Sequence, residues 1–375
     1  MKIGILKEIK AAENRVMLVP DSVSELVQMG HELFVENGAG SYSSCDDADY
    51  ESAGAHILPT SEKIFKTVEL ICKVQPPLPI EHELYQPHHT SFSFLFLNNN
   101  PELLKGLLKY NSVFFAAEMF KNSKANLPIM QSMSQIAGLM AVHEAAKYSQ
   151  KTYGGKGILL FSPPGTPNAK ITIIGAGIAG LTAARQSLLL GAQVNLIDID
   201  EEKLQTFTNP NPEAELVTFE FSRGLLREVL LETDVLITAV HTPGRKTPVL
   251  VTRNDVKLLK PGSVIIDLSI EQGGCVETSR PTTPESPIYL QDDIVHYCVP
   301  NLPSAVPTTA SRILSAQAVK YIKQIAQLGI EESVALNPEI RSGLTIYHGK
   351  VVNEELAEIN NLEYYEALEM LELSL

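Results

Sequence analysis

Three glycines and an aspartate carry the clearest chemical signal in the chain. Gly175, Gly177 and Gly180 stand in the run Ile171-Thr-Ile-Ile-Gly-Ala-Gly-Ile-Ala-Gly180, and Asp198 closes Val194-Asn-Leu-Ile-Asp198. Each has a physical task. Gly175 permits a tight turn out of a buried strand, Gly177 lets backbone approach a pyrophosphate, and Gly180 lets a helix pack closely on that strand. The helix expected from Ile178 to Leu190 would face a phosphate with its unpaired N–H groups and positive dipole end. Asp198 lies about twenty residues on, where a carboxylate accepts ribose hydroxyls and repels a 2′-phosphate. A glycine-rich turn that binds nothing is the plain alternative. Strand, turn, helix, second strand and acid occur here in order, which predicts a site for NAD rather than NADP, with Gly175, Gly177, Ile178, Ala179, Gly180 and Asp198 as the cofactor-binding candidates of the turn.

The elements that must hold this turn read as strand-helix alternation. Before it, Ile3 to Leu6, Glu32 to Glu36, Leu70 to Val74, Ser91 to Leu97 and Ser112 to Ala116 read as strands. Asp21 is the expected cap of a helix towards Met29, and Pro101 fits the first turn of one through Tyr110. A long helical pattern from Leu127 to Ser149 leads into the breakers Tyr153-Gly-Gly-Lys-Gly and Ser162-Pro-Pro-Gly-Thr-Pro. Beyond the turn, strands are expected near Leu216 to Phe219, Val235 to Val240, Val264 to Leu268 and Val295 to Cys298, then a helix from Ala310 to Leu328 and a helical acidic tail from Glu354. The predicted fold class is α/β, with two Rossmann-like doubly wound domains and a cleft between them. Residues 1–129 plus 308–375 would form a substrate domain, and 130–307 an inserted NAD-binding domain.

Composition narrows the function classes. A length of 375 residues with 44% hydrophobic content suffices for two cores. The net charge of −14 and the lack of a basic block argue against nucleic acid or an anionic membrane as partner. The N-terminal apolar run is interrupted by charges, and no stretch approaches the ~20 apolar residues of a membrane span, so a cytoplasmic protein is expected. Cys45, Cys72, Cys275 and Cys298 form no CxxC pair and read as buried free thiols, with no metal site implied. No Gly-Lys-Ser phosphate loop or nucleophile-base-acid arrangement supports a kinase or hydrolase.

The chain resembles the alanine dehydrogenase and transhydrogenase α-subunit family over essentially its whole length. The matching pieces are Gly4-Ile-Leu-Lys-Glu-Ile-Lys with Glu13-Asn-Arg15-Val, Leu70-Ile-Cys-Lys73-Val, Met133-Ser134-Gln-Ile-Ala-Gly138 and the glycine turn. Further on come Lys260-Pro-Gly-Ser-Val-Ile-Ile-Asp267, Gln272-Gly-Gly-Cys275, Thr278-Ser-Arg-Pro-Thr-Thr283 and Asn301-Leu-Pro-Ser-Ala-Val-Pro307. The resemblance implies that Arg15 and Lys73 hold the carboxylate and carbonyl of a small 2-oxo acid. That suits their chemistry: a guanidinium grips a carboxylate bidentately, and an ammonium stabilises charge on a carbonyl oxygen. Without the resemblance, Arg15 reads equally as a surface residue and Lys73 as the solvated end of an edge strand. Glu118 matches a family position near the active site and reads equally as an ordinary strand-end carboxylate. The resemblance also implies a symmetric homo-oligomer, hexamer or dimer.

Two positions depart from the dehydrogenase branch. Its catalytic histidine is replaced in Phe92-Ser-Phe-Leu-Phe96-Leu-Asn98 by Phe96, which exchanges no proton and is placed here among substrate-lining residues. Its catalytic aspartate is replaced by Glu271. Loss of a positioned acid/base group costs ~10²–10⁴-fold in rate. Phe96, Asn100-Pro-Glu-Leu-Leu104, Pro243-Gly-Arg-Lys-Thr-Pro-Val-Leu250 and Glu271 are similar to the transhydrogenase branch, whereas Gly274 to Pro307 is similar to alanine dehydrogenases. Glu118 to Ser134 lacks the arginine-bearing nicotinamide loop of the former. His88 and His89 are expected in a loop over ~20 Å from position 96, and His143 in helix packing. Lys73 is the expected replacement acid/base, on the ground that a lysine crowded by another cation and partly desolvated releases its proton more readily, with Glu271 second.

The resulting expectation is an NAD-dependent amino-acid dehydrogenase interconverting an L-amino acid, L-alanine first, with its 2-oxo acid and ammonia. On the same resemblance Asn301 would position cofactor and substrate, and Ser134 and Val240 are further cofactor-binding candidates. The alternatives are an amino-acid or opine-type dehydrogenase with another substrate, and an NAD(H)-binding homologue that has lost its chemistry. A transhydrogenase component stands behind these.

Overall fold

The computed structural model describes residues 1–161, 165–241 and 246–371. The breakers at Ser162 to Pro164 and the first part of the Pro243 to Leu250 run lie outside the described residues. The chain forms two compact units, residues 1–133 with 304–375 and residues 134–303. Each break lies four residues from the boundary expected from sequence. The helix Pro128–Tyr148 carries the first break within it.

The strands in chain order are β1 (Lys2–Ile5), β2 (Glu32–Glu36), β3 (His56–Leu58), β4 (Leu70–Cys72), β5 (Thr90–Ser93), β6 (Val113–Ala116), β7 (Lys170–Ile174), β8 (Gln193–Asp198), β9 (Leu216–Glu220), β10 (Val235–Thr238), β11 (Val264–Asp267), β12 (Ile288–Gln291), β13 (Ile294–Tyr297), β14 (Leu344–Tyr347) and β15 (Lys350–Val351). The first unit holds an eight-stranded sheet in the order β15-β14-β6-β5-β4-β1-β2-β3. Its six strands β1 to β6 run parallel, and β14 adds antiparallel to β6. The second unit holds seven strands in the order β12-β13-β11-β10-β7-β8-β9, with only β12 antiparallel.

Counting only the mutually parallel strands of each unit, both sheets have the order 3-2-1-4-5-6, with the reversal between the first and fourth strands. Two Rossmann-like doubly wound sheets are therefore present, as the alternation of elements predicts. Central strands are buried on both faces: the adjacent residues Leu70 and Ile71 of β4, and Leu236 and Ile237 of β10, point to opposite sides of their sheets and have no exposed surface. In the second unit, separate apolar clusters cover the two faces of the sheet, one around Ile171, Leu196 and Ile266 and the other around Ile174, Leu236 and Ile265.

Several elements differ from the sequence reading. β3, β12, β14 and β15 have two to four residues each and give little periodic signal. The helix Pro20–Gln28 is preceded by Val19 at its N-cap; Asp21 sits inside the first turn because Pro20, with no N–H to lose, occupies the first helical position. All four cysteines are buried free thiols. Among the described residues, no helix is long and apolar enough to cross a membrane, and no cluster of three metal-ligating side chains occurs.

Candidate active site

In the second unit, β7 delivers the chain to Gly175, whose φ of +106° is a left-handed conformation that L side chains rarely adopt. A Cβ there would also lie 2.5 Å from the carbonyl oxygen of Ala239. Gly177 is the N-cap of the helix Ile178–Leu189 and supplies no side-chain acceptor to its first turn. A Cβ on Gly177 would meet nothing within 4 Å, so the position opens outward above the unpaired N–H groups. On Gly180 a Cβ would overlap the carbonyl oxygen of Gly175, which makes glycine the residue that allows the helix to lie on its strand. Gly138 has the same relation to Ala179, fixing the helix Pro128–Tyr148 against the same first turn.

Asp198 ends β8. Its Oδ2 accepts from the Ala176 N–H at 2.5 Å and its Oδ1 from the Asp200 N–H at 2.9 Å, so the carboxylate is fixed beside the glycine turn. The open face at Gly177, the uncapped helix and the oriented acid suit a dinucleotide. Val240 follows β10 and donates its N–H to Ser269 Oγ at 3.0 Å. Glu271 lies on a 3-10 turn after β11, exposed, and accepts from the Asn301 N–H at 2.5 Å. Asn301 itself is left-handed, with φ of +56°. Val240, Glu271 and Asn301 thus all stand beyond the C-terminal ends of parallel strands, the edge where open α/β sheets bind ligands.

The first unit brings Arg15 and Lys73 into buried ion pairs. Arg15 is 3% exposed; its Nε and Nη2 donate to the two carboxylate oxygens of Glu13 at 2.7 and 2.6 Å, and Nη1 lies 3.2 Å from Met133 Sδ. Gln75 Nε2 donates to the same Glu13 at 2.6 Å. Lys73 is 1% exposed, and its Nζ is 2.6 Å from both oxygens of Glu81 and 4.0 Å from Glu8 Oε2. Neither cation is a solvated surface residue, and β4 is no edge strand, lying between β1 and β5. The surroundings of Lys73 correct the sequence reading in one respect. The group bonded to Nζ is the Glu81 carboxylate, with the Glu8 carboxyl 4.0 Å away, and the ammonium is held in an ion pair rather than beside another cation.

Glu8 accepts from the N–H groups of Val74 and Gln75 at 2.5 and 3.1 Å through Oε1, while its buried Oε2 has no hydrogen-bond partner. Burial pushes its carboxyl up to about 7, against the lowering effect of Lys73. Glu8, Glu13, Asn14 and Arg15 with Lys7, Gly38, Ala39 and Tyr42 line a recess of about 10 Å³, room for roughly one water.

Phe96 follows β5 in a left-handed conformation, φ +48°, with its ring stacked on Phe94 at 5.6 Å between centroids. Glu118 fixes this turn: its oxygens accept from the N–H groups of Leu95 and Phe96 at 3.0 and 2.5 Å. Desolvation outweighs those bonds and raises the Glu118 carboxyl to about 7. His89 is buried, with Nε2 2.8 Å from the Phe65 carbonyl oxygen, whereas His143 is exposed on its helix rather than packed.

The sequence reading missed Glu8, Glu13, Gln75 and Glu81. Glu8 and Glu13 lie in the family-matching segments but carry no role there, and Gln75 and Glu81 have only position as a signal, close in sequence to a Lys73 whose charge has to be balanced once it leaves water.

Paired doubly wound sheets with a glycine turn opening a helix, and an acid ending the next strand, define a two-domain α/β protein of the Rossmann-like class. Residues 4–137 match the family description "Alanine dehydrogenase/PNT, N-terminal domain", and residues 141–354 match "Alanine dehydrogenase/PNT, C-terminal domain". The chain belongs to the alanine dehydrogenase/PNT family. It is 38% identical over 371 residues to an alanine dehydrogenase of Halomonas elongata, covering 99% of this chain and 100% of that one. With an alanine dehydrogenase of Bacillus subtilis it shares 39% over 368 residues, 98% of this chain and 97% of the other. Among solved structures, an L-alanine dehydrogenase superposes with a TM-score of 0.90 at 36% identity, covering 96% and 99% of the two chains. A transhydrogenase from Sinorhizobium meliloti superposes with a TM-score of 0.79 at 26% identity, covering 95% and 100%.

Proposed function

We propose that the protein is an NAD(H)-dependent oxidoreductase that interconverts L-alanine with pyruvate and ammonia. The observation that carries this reading is the dinucleotide turn with Asp198 fixed beside it, in a chain that aligns end to end with alanine dehydrogenases. Residues 134–303 are assigned the cofactor and residues 1–133 with 304–375 the substrate. Bound at the turn, the nicotinamide dinucleotide supplies or accepts the hydride.

The chain's own residues supply the rest. N–H groups at the start of the helix Ile178–Leu189 bind the pyrophosphate, with Gly177, Ile178, Ala179 and Gly180 keeping side chains out of its way. Asp198 binds the adenosine ribose. Ser134 and Val240 border the cofactor, and Asn301, held by Glu271, orients the nicotinamide end. Arg15 binds the substrate carboxylate and Lys73 the carbonyl oxygen, where an ammonium stabilises developing negative charge. Glu271 places water or assists proton transfer. Phe96 lines the substrate side. A cytoplasmic homo-oligomer accompanies this reading through the family.

The test is NADH oxidation with pyruvate and ammonia against a blank without ammonia. Ammonia-dependent oxidation supports the assignment; tight NADH binding without turnover on any oxo acid refutes it. The stacked Phe94 and Phe96 rings favour one second reading, a dehydrogenase for a larger or secondary amine, which predicts oxidation only with a larger oxo acid or an added amine.

A further inference from the structure

The buried carboxyl of Glu8 is used by none of the roles above, and its setting is unusual. Its side chain is 3% exposed, Oε1 is anchored by two backbone N–H groups, and Oε2 has no hydrogen-bond partner while lying 4.0 Å from Lys73 Nζ. A buried carboxyl oxygen without a partner is costlier charged than neutral, so this group favours its protonated form and is poised to give the proton up. We infer that Glu8 is the proton carrier of the substrate site, passing its proton through the Lys73 ammonium to the oxygen of the bound oxo acid. The inference rests on the functional reading above.

Charge at the site supports it. Glu13 is taken by Arg15 and Gln75, and Glu81 by Lys73, so the two cations already have one carboxylate each. Glu8 is the extra acid. The charged groups acting on it are Lys73, which favours its carboxylate, and Glu13, which disfavours it. Lys7 and Tyr42 line the same recess, and Lys10 is turned to Gln75 Oε1 at 2.9 Å. Burial dominates and holds the proton on Glu8 up to about pH 7. Phe96, by contrast, offers no exchangeable proton.

The step balances without a further reactant. In amination, the ammonia nitrogen forms the C–N bond and the carbonyl π pair moves to oxygen. That oxygen takes a proton from Nζ, and Nζ, 4.0 Å from Glu8 Oε2, takes the proton from it once the two close to hydrogen-bond distance around the substrate. Glu8 is left as carboxylate and the new nitrogen as a cation; the proton that nitrogen then loses restores Glu8.

The test compares wild type with Glu8→Gln, which keeps the shape and cannot ionise, and with Glu8→Asp, which can. In infrared difference spectra, the carboxyl band missing from E8Q is expected to titrate near pH 7 in wild type; a midpoint in the ordinary range of ~4.3 overturns the inference. In ammonia-dependent NADH oxidation with pyruvate, E8Q is expected to lose the limb near pH 7 and ~10²–10⁴-fold in kcat, with NADH affinity unchanged. E8D is expected to recover part of the rate and keep the limb. An E8Q protein that retains the limb and stays within about threefold of wild-type kcat overturns the inference. Failure of the functional reading looks different: wild type, E8Q and E8D are then equally inactive.

Discussion

Gly177 and Gly180 stand three residues apart on one turn, and replacing each by alanine should break different properties. At Gly180 the new Cβ would overlap the Gly175 carbonyl oxygen, a backbone atom that no rotamer change can move aside. Such overpacking costs ~1–3 kcal/mol. For a unit spanning residues 134–303, that lowers the melting temperature by about 2–12 °C at ~2–4 °C per kcal/mol. At Gly177, φ is −77° and nothing lies within 4 Å of the new Cβ. Alanine is a poorer N-cap by up to ~1 kcal/mol, but it also removes ~0.4–1 kcal/mol of unfolded-chain freedom, so folding should barely change. Its methyl group would instead occupy the approach to the helix N-terminus and weaken NADH by ~10-fold or more, equivalent to ~1.4 kcal/mol. Thermal melts and NADH fluorescence titrations of the two variants separate these effects. A Gly177→Ala protein that binds NADH with wild-type affinity, or a Gly180→Ala protein that melts with wild type, would refute the reasoning.

Asp198→Ala should weaken NADH while narrowing the preference over NADPH, because the variant no longer repels a 2′-phosphate; paired titrations with the two cofactors check this, and an unchanged preference contradicts it. Glu118 makes a pH prediction. Its carboxyl is raised from 4.5 to about 7, so the folded state binds the proton more tightly than the unfolded chain. The stabilisation it contributes is full below the unfolded value near 4.5 and is lost as pH rises through about 7. Urea unfolding of wild type should therefore show lower stability at pH 8 than at pH 5, by on the order of 2–3 kcal/mol from Glu118, with Glu8 acting in the same direction. Glu118→Gln should flatten part of that slope. It should also cost ~1–3 kcal/mol at low pH, since one amide oxygen cannot accept from both Leu95 and Phe96 N–H groups.

What could be read in the sequence follows the length scale of the interactions. β2 was legible residue for residue, and the glycine turn was legible because its requirements are local: a turn at Gly175, an open approach at Gly177, a close contact at Gly180. The return of β14 to pair with β6 joins residues more than two hundred positions apart, and four residues of Leu-Thr-Ile-Tyr carry no mark of that partner. The same limit applies to the site. Arg15 and Lys73 stood out through their motifs, but the carboxylates that hold them did not. Gln75 reaches Glu13 across 62 residues and Glu8 reaches Val74 across 66, and such pairings are decided by packing. Asp21 failed as a cap for a local reason, since Pro20 had already fixed the start of the helix one residue earlier.

The most direct measurement of the central claim is the fate of the transferred hydrogen. With NADH deuterated at C4, pyruvate and ammonia, the account predicts alanine carrying deuterium at its α-carbon, formed in step with NADH loss. Label appearing in lactate, or NADH that binds and transfers no label to any 2-oxo acid, would contradict it.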